Sequence, residues 1–279
     1  MDFPKEVESF FESENIPVKQ ILPEADRHGL LFQLSDKLFL HLITYADMRQ
    51  TNPGLPVNLS GRMQKQNKQV IHLCEDVWNT QNNLVKARLL ALLGKRKRIH
   101  ARQTSVVRLD KKQADDFLHT HHLQNSATAY YKYGLIHSGE LVAVATFSKS
   151  RVMHNRVVPY RSFELVRFAS KSGVTVAGGL GKLLNHFITN HHPAHLMTYA
   201  DSDWSSGDSY KKLGFAQAGF TEPQLFNLHP EEQVRYYPHR LPASFADERE
   251  LLKAGYLKIY NAGNSKWELF CTTQPVKSI

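Results

Sequence analysis

The residues best suited to chemistry gather between positions 174 and 215. Val174, Thr175 and Val176 form a β-branched run that meets Gly178, Gly179, Leu180 and Gly181, and from Lys182 onward Leu183, Leu184, Phe187 and Ile188 recur at helical spacing. Glycines at a strand-to-helix junction let the backbone approach a ligand closely, and the first N–H groups of the new helix form an anion site. A second apolar strand, 195–200, leads to Asp201. Ligands in open α/β sheets gather beyond the strand carboxyl ends, so Asp201 could orient or deprotonate an attacking amine. Its ordinary alternative is to cap the polar turn 202–206. A short helix, Gly207 to Leu213, carries Tyr210, and Gly214 suits its C′ position.

Two residues outside this stretch could join such a site. Arg167 lies in the strand Arg161 to Ala169 with apolar flanks, either as a core-edge salt bridge or as a substrate contact. His122 follows the helix Lys111 to His121 and either reaches a substrate cleft or acts as a helix-terminal cation on the dipole. The cluster His119, His121 and His122 is not expected to hold a structural metal.

The stretch Val174 to Phe215 resembles the acetyl-CoA-binding core of the GCN5-related N-acetyltransferase (GNAT) superfamily. That superfamily's phosphate loop is Gln/Arg-x-x-Gly-x-Gly/Ala opening a helix. Val176-Ala177-Gly178-Gly179-Leu180-Gly181 carries both glycines, with Val176 in place of the leading Gln or Arg. The second signature, Asn-x-x-Ala-x-x-x-Tyr-x-x-x-Gly-Phe, is matched as Asp203-x-x-Ser206-x-x-x-Tyr210-x-x-x-Gly214-Phe215. A hairpin formed by Tyr130 to Ile136 and Glu140 to Phe147, then a strand, a glycine-loop helix, a strand and a helix, follows the GNAT order.

The resemblance implies an α+β or α/β fold: a GNAT-like mixed central sheet flanked by helices, preceded by a smaller α/β domain. It implies that Val176, Ala177, Gly178, Gly179, Leu180, Gly181, Lys182 and Ser206 bind acetyl-CoA or a related acyl-CoA. In such an N-acyltransferase Tyr210 protonates the departing thiolate, Asp201 or His122 takes the amine proton, and the acyl carbonyl sits beside the strand holding Arg167. The chain is also distantly similar to Mom-type phage DNA modification proteins, which implies a nucleobase amine as acceptor.

Of 279 residues 42% are hydrophobic, as in a globular protein, and two cysteines cannot build a disulfide framework. The first residues lack a signal-peptide core, and no run approaches the ~18 apolar residues of a membrane span, so a cytoplasmic protein is expected. Between Lys86 and Lys112 there are ten Lys or Arg against one acid, a net +9 that equals the charge of the whole chain. Lys95, Arg96, Lys97, Arg98 and Arg102 are its centre, and DNA or RNA is the expected partner, against the alternative of a solvated helix end.

The N-terminal third reads as a helix from Phe3 to Ser13, strands at 29–34, 37–44 and 70–74, a polar loop from Met48 to Lys68, and a helix from Glu75 to about Leu93. Val70 to Trp78, Asn82 to Leu89, Leu93-Gly94 and Ile99 to Arg102 resemble a Vsr-like endonuclease domain of phage homing endonucleases. That family holds a catalytic metal with acids on paired strands. Here His41 falls where an acid is expected, which implies a degenerate nuclease fold kept to contact nucleic acid, with an active metal-dependent nuclease as the alternative. Gly255 to Asn264 resembles the tail of the same phage family, and Ala246 to Ala254 reads as a helix. The expected division is 1–103, 104–226 and a C-terminal extension 227–279 closing in a hairpin of 256–260 with 266–272.

Overall fold

Phe3, Val7, Phe10 and Phe11 bury one stripe of a helix, α1 (Phe3–Ser13), which Asp2 caps by accepting from the Lys5 N–H at 3.2 Å. The computed structural model describes residues 2–21, 29–49, 52, 54–154, 156–241, 245 and 247–271. The expected limits Ala246 and Thr272 lie outside the described residues. After α1 come β1 (Lys19–Ile21), β2 (Leu30–Gln33), β3 (Leu38–Ile43), α2 (Tyr45–Met48), α3 (Leu55–Lys65), β4 (Gln69–Cys74) and α4 (Glu75–Leu92). Next are β5 (Lys97–His100), β6 (Ser105–Arg108), α5 (Lys111–His121), β7 (Tyr131–His137), β8 (Glu140–Phe147) and β9 (Arg151–Met153). Then follow β10 (Tyr160–Ser170), β11 (Val174–Ala177), α6 (Gly179–His191), β12 (His195–Asp201) and α7 (Asp208–Lys212). The last are β13 (Ala216–Phe220), β14 (Leu225–His229), β15 (Val234–Tyr236), α8 (Glu248–Lys253), β16 (Leu257–Tyr260) and β17 (Asn264–Phe270). No helix among the described residues is long and apolar enough to cross a membrane.

The chain forms two compact units, 1–82 with 200–206 and 220–265, and 83–199 with 207–219 and 266–279. The expected boundaries at 103 and 226 are corrected by strand pairing and packing. β5 runs parallel to β11, which ties 97–100 to the second unit. Leu228, Leu257 and Ile259 share a buried cluster with Ile43, Met48 and Cys74, which ties β14 and β16 to the first. The expected closing hairpin does not form: β16 pairs with β14, whereas β17 lies between β13 and β12. Thr221 takes up the divergence, its N–H donating to the Asn264 carbonyl at 2.8 Å.

In the first unit β1, β2, β3 and β4 form one sheet, with β3 and β4 parallel. The polar loop expected over 48–68 contains α3 instead. Pro56 stands in its first turn, and Leu59 and Met63, one helical turn apart, pack on Leu31, Phe39 and Val70. Each residue of β3 and all but the first of β4 are buried, including two histidines. His41 and His72 face each other across the parallel register, Nδ1 to Nδ1 at 2.9 Å, and the Ser60 hydroxyl meets His72 Nε2 at 2.8 Å. One proton serves the shared Nδ1 contact, so one ring donates there and the other accepts.

Burial, then the neighbouring His41, holds His72 well below the usual imidazole range. The unfolded chain therefore binds more protons in mild acid, and this contribution to stability is present above about pH 6.5 and lost as pH falls below it. Urea unfolding is expected to show a loss of about 1 kcal/mol per pH unit below about pH 6. His72→Gln should flatten that slope, and an unchanged slope would refute the assignment.

The second unit is built on the order β13-β17-β12-β10-β8-β7-β6, with β9 attached to β10. β10 is parallel to β12 and antiparallel to β8, so the sheet is mixed. α5 packs Ala114, Phe117 and Leu118 on Val144 and Ala169, while Phe187 of α6 stacks on Phe147 with ring centroids 3.9 Å apart. Val144 and Phe147 alternate along β8, so the two helices cover opposite faces. This is a mixed α/β architecture with a central sheet flanked by helices, as expected.

Candidate active site

The sheet of the second unit opens at a defined point. Ser162 to Leu165 of β10 pair in parallel with His195 to Thr198 of β12, and the Thr198 hydroxyl donates to the Leu165 carbonyl at 2.9 Å. Beyond that pairing β10 runs on to Ser170. On its other edge the register against β8 shifts between Leu165 and Arg167, which makes Val166 an extra residue. A bulge re-aims the side chain beside it. Arg167 follows the bulge, with Nη1 donating to the Val166 carbonyl at 2.9 Å and Nε to the Asn125 carbonyl at 3.3 Å. Opposite Arg167 on β8 the buried Thr146 hydroxyl finds no hydrogen-bond partner among the described residues.

Tyr210 is delivered to the same place by α7. Gly207, at φ 78°, turns the chain into that helix, and a Cβ there would lie 2.3 Å from the Trp267 ring. Tyr210 in turn packs near Trp267 and Phe215, at centroid distances of 6.3 and 5.8 Å. Burial raises the phenol's pKa above 10.0, while a hydrogen bond with Thr198 and the charges of Arg88 and Arg167 pull the other way. The phenol thus keeps its proton through neutral pH. Gly207→Ala is expected to cost about 2–3 kcal/mol from overpacking and the left-handed backbone, read by urea unfolding. A loss below about 0.5 kcal/mol would mean that Trp267 moves aside freely.

His122 lies near the same groups, its imidazole within reach of the charges of Arg167 and Arg88. It follows the end of α5, with its N–H donating to the Leu118 carbonyl at 2.9 Å. Burial, then the charges of Arg167 and Arg88, push its imidazole down to about 3, so it is not a cation on the helix dipole. Its Nδ1 accepts from the Gln124 N–H at 3.1 Å, which places the ring proton on Nε2. A neutral ring with that tautomer donates a hydrogen bond and is a poor base. Arg88 and Thr198 are the site residues that the sequence reading missed. Arg88 sat within the basic run as one charge among ten, and Thr198 resembled any other strand residue.

The glycine turn has the expected local geometry. Gly178, exposed and left-handed at φ 77°, stands before α6, and no side chain caps that helix. The amides of its first turn lack intrahelical partners and can receive an anion. Val176 is buried and Ala177 half-buried, so any contact there is through the main chain. The Lys182 side chain turns away from the loop: Nζ donates to the Ala101 carbonyl at 2.9 Å and also to the Thr104 carbonyl, buttressing the neighbouring turn. Beside the turn, β5 matches Lys97 with Val174 and His100 with Ala177. Lys95, Lys97, Arg98 and Arg102 are exposed, and Arg96 is half-buried. Lys97 and Arg98 lie in β5, whereas Lys95 closes the end of α4, its N–H donating to the Leu90 carbonyl at 2.9 Å.

Asp201 and Ser206 fall in the first unit. Asp201 Oδ1 accepts from the Asp203 N–H at 3.0 Å, and its carbonyl accepts from Trp204 and Ser205, which is the turn-capping alternative. Burial, then Asp201, hold Asp203 well above the usual carboxylate range, with its Oδ1 accepting from the Ala262 N–H at 2.8 Å.

No protein-family model matches the chain, and no curated protein matches it. Among solved structures it is similar to a histone acetyltransferase HPA2-related acetyltransferase from Corynebacterium glutamicum, with 15% identity, 62% of this chain and 99% of that one covered, and a TM-score of 0.38. A Bacillus subtilis acetyltransferase in complex with CoA is similar at 12% identity, with 61% and 99% covered and a TM-score of 0.37. The ribosomal-protein-S18-alanine N-acetyltransferase of Escherichia coli is similar at 14% identity, with 61% and 96% covered and a TM-score of 0.37. Likeness at this level carries no argument by itself, and the chemistry of residues 160–215 is what bears on function.

Proposed function

We propose that the second unit is a GNAT-type N-acyltransferase that takes an acyl-CoA donor and an amine of, or bound to, a nucleic acid. The observation that carries this reading is the protonated phenol of Tyr210, held beside Thr198 at the point where β10 and β12 stop pairing. The donor set fits an acyl-CoA: an uncapped helix N-terminus behind an exposed glycine suits phosphates, and Lys97 and Arg98 add charge on the adjoining strand. An acyl-CoA supplies an activated thioester carbonyl. Tyr210 holds a proton on Oη and can deliver it to a leaving group. Arg167 fixes the bulge, and burial, then Arg167, keeps His122 neutral, so that His122 Nε2–H can orient a carbonyl or an acceptor. Such a site works mainly by holding two reactants together.

The test is a thermal-shift titration with acetyl-CoA and CoA. Stabilisation of about 3 kcal/mol at about a hundredfold excess over Kd is expected, and no shift with any CoA thioester would count heavily against the enzyme. For the first unit we propose a nucleic-acid-contacting remnant of a nuclease fold. Its support is that paired sheet positions carry His41 and His72 locked to each other, where a metal-dependent nuclease needs converging carboxylates.

A further inference from the structure

A second basic surface lies outside both the glycine turn and the 86–112 segment. From Ser148 to Phe163 the chain holds Lys149, Arg151, His154, Arg156 and Arg161 and no Asp or Glu. On either side of position 155 its described residues pair antiparallel, with Arg151, Val152 and Met153 opposite Ser162, Arg161 and Tyr160. Every one of those five basic residues is exposed. So are Val152 at 55%, Val157 at 102% and Val158 at 74%, together with Pro159.

Among the described residues none of the four Lys and Arg is paired with a carboxylate. Lys149 lies over the Tyr130 ring at 4.9 Å, and Arg156 over Phe270 at 3.7 Å. Arg161 donates to the Ser150 hydroxyl at 3.3 Å. A guanidinium stacked on a ring still presents its N–H edge to an anion. Like charges with no carboxylate partner, beside three exposed valines, make a combined patch that marks a contact surface.

We infer that the β9–β10 strand pair is a binding arm for duplex nucleic acid. A two-stranded ribbon fits a groove, arginines on its flanks reach phosphates, and a short apolar tip can wedge against sugars and base edges. A membrane surface is the competing partner for a basic, apolar loop. It calls for Trp, Phe or Leu at the tip, where this segment has Val157, Val158 and Pro159. The inference deepens the proposed function by naming what holds the acceptor, and it is tested without any acyl donor so that the two can fail separately.

The experiment is fluorescence anisotropy of the full chain with a labelled duplex of about 20 base pairs across about 50–200 mM salt. R151A/R156A/R161A should weaken binding at least about tenfold and reduce the slope of log K against log salt by about 2–3. V157S/V158S should weaken it about threefold or more and leave the slope unchanged. Both variants should keep the wild-type circular dichroism and thermal shift with acetyl-CoA. Should Arg156 prove necessary for packing Phe270, R151E/R161E gives the same test at exposed positions. Wild-type slope and affinity in the folded arginine variants would overturn the inference. So would binding to phosphatidylserine vesicles but not to the duplex.

Discussion

Tyr210→Phe is expected to lower kcat for acyl transfer by about 10²–10³, the usual worth of a positioned general acid. The KM for acyl-CoA should stay within about threefold, because the phenol contributes to proton transfer and little to phosphate binding. The readout is release of CoA thiol with duplex DNA as the acceptor source. The pH profile adds a second check. Burial raises the phenol's pKa above 10.0, so the proton stays on to higher pH in the fold. The wild-type rate should therefore show no descending limb from this group below about pH 10. Thr198→Val, which removes the hydrogen bond to the phenol, should cost about tenfold without abolishing activity. A Phe variant with the full rate would leave Tyr210 as a packing residue beside Trp267 and Phe215.

Asp76→Ala should be the most damaging single change in the first unit, at about 3–5 kcal/mol. Asp76 is buried and takes Arg235 in a two-pronged contact, Nε to Oδ2 at 2.5 Å and Nη2 to Oδ1 at 2.8 Å. Arg235 sits on β15, and its partner sits in the first turn of α4, far apart in the chain. Around them burial pushes the Cys74 thiol up to about 12 and holds Asp203 well above the usual carboxylate range. Removing Asp76 leaves the guanidinium without its two-pronged partner. Asp76→Ala with Arg235→Met should recover most of the loss, because an apolar pair needs no partner. Urea unfolding of the two variants decides it. A single-variant loss under about 1 kcal/mol would mean that solvent reaches the guanidinium.

Much of the local structure was legible in the residues. The stripe Phe3, Val7, Phe10 and Phe11 named α1, and the apolar alternation of 130–147 named the β7–β8 hairpin. The glycines at 178–181 named the entry to α6. Each signal is short-range, and the side-chain period or the required backbone angle is enough to set it. Helix α3 was missed although Leu59 and Met63 carry the right spacing, because polar residues and the 52–54 turn signals outweighed two apolar positions.

What the chain could not disclose by itself depends on residues brought together from far apart. Sequence alone determined that a glycine turn opens a helix, that a tyrosine follows one strand later, and that charge concentrates in a few segments. Only the tertiary structure decided that burial, then Arg167 and Arg88, hold His122 neutral, that the Lys182 side chain is spent on the carbonyls of Ala101 and Thr104, and that residues 220–265 pack with the first unit. The reason is physical: a backbone preference is felt within a few residues, whereas a pKa, an ion pair or a sheet register is set by whichever groups share the same few ångströms of low-dielectric space.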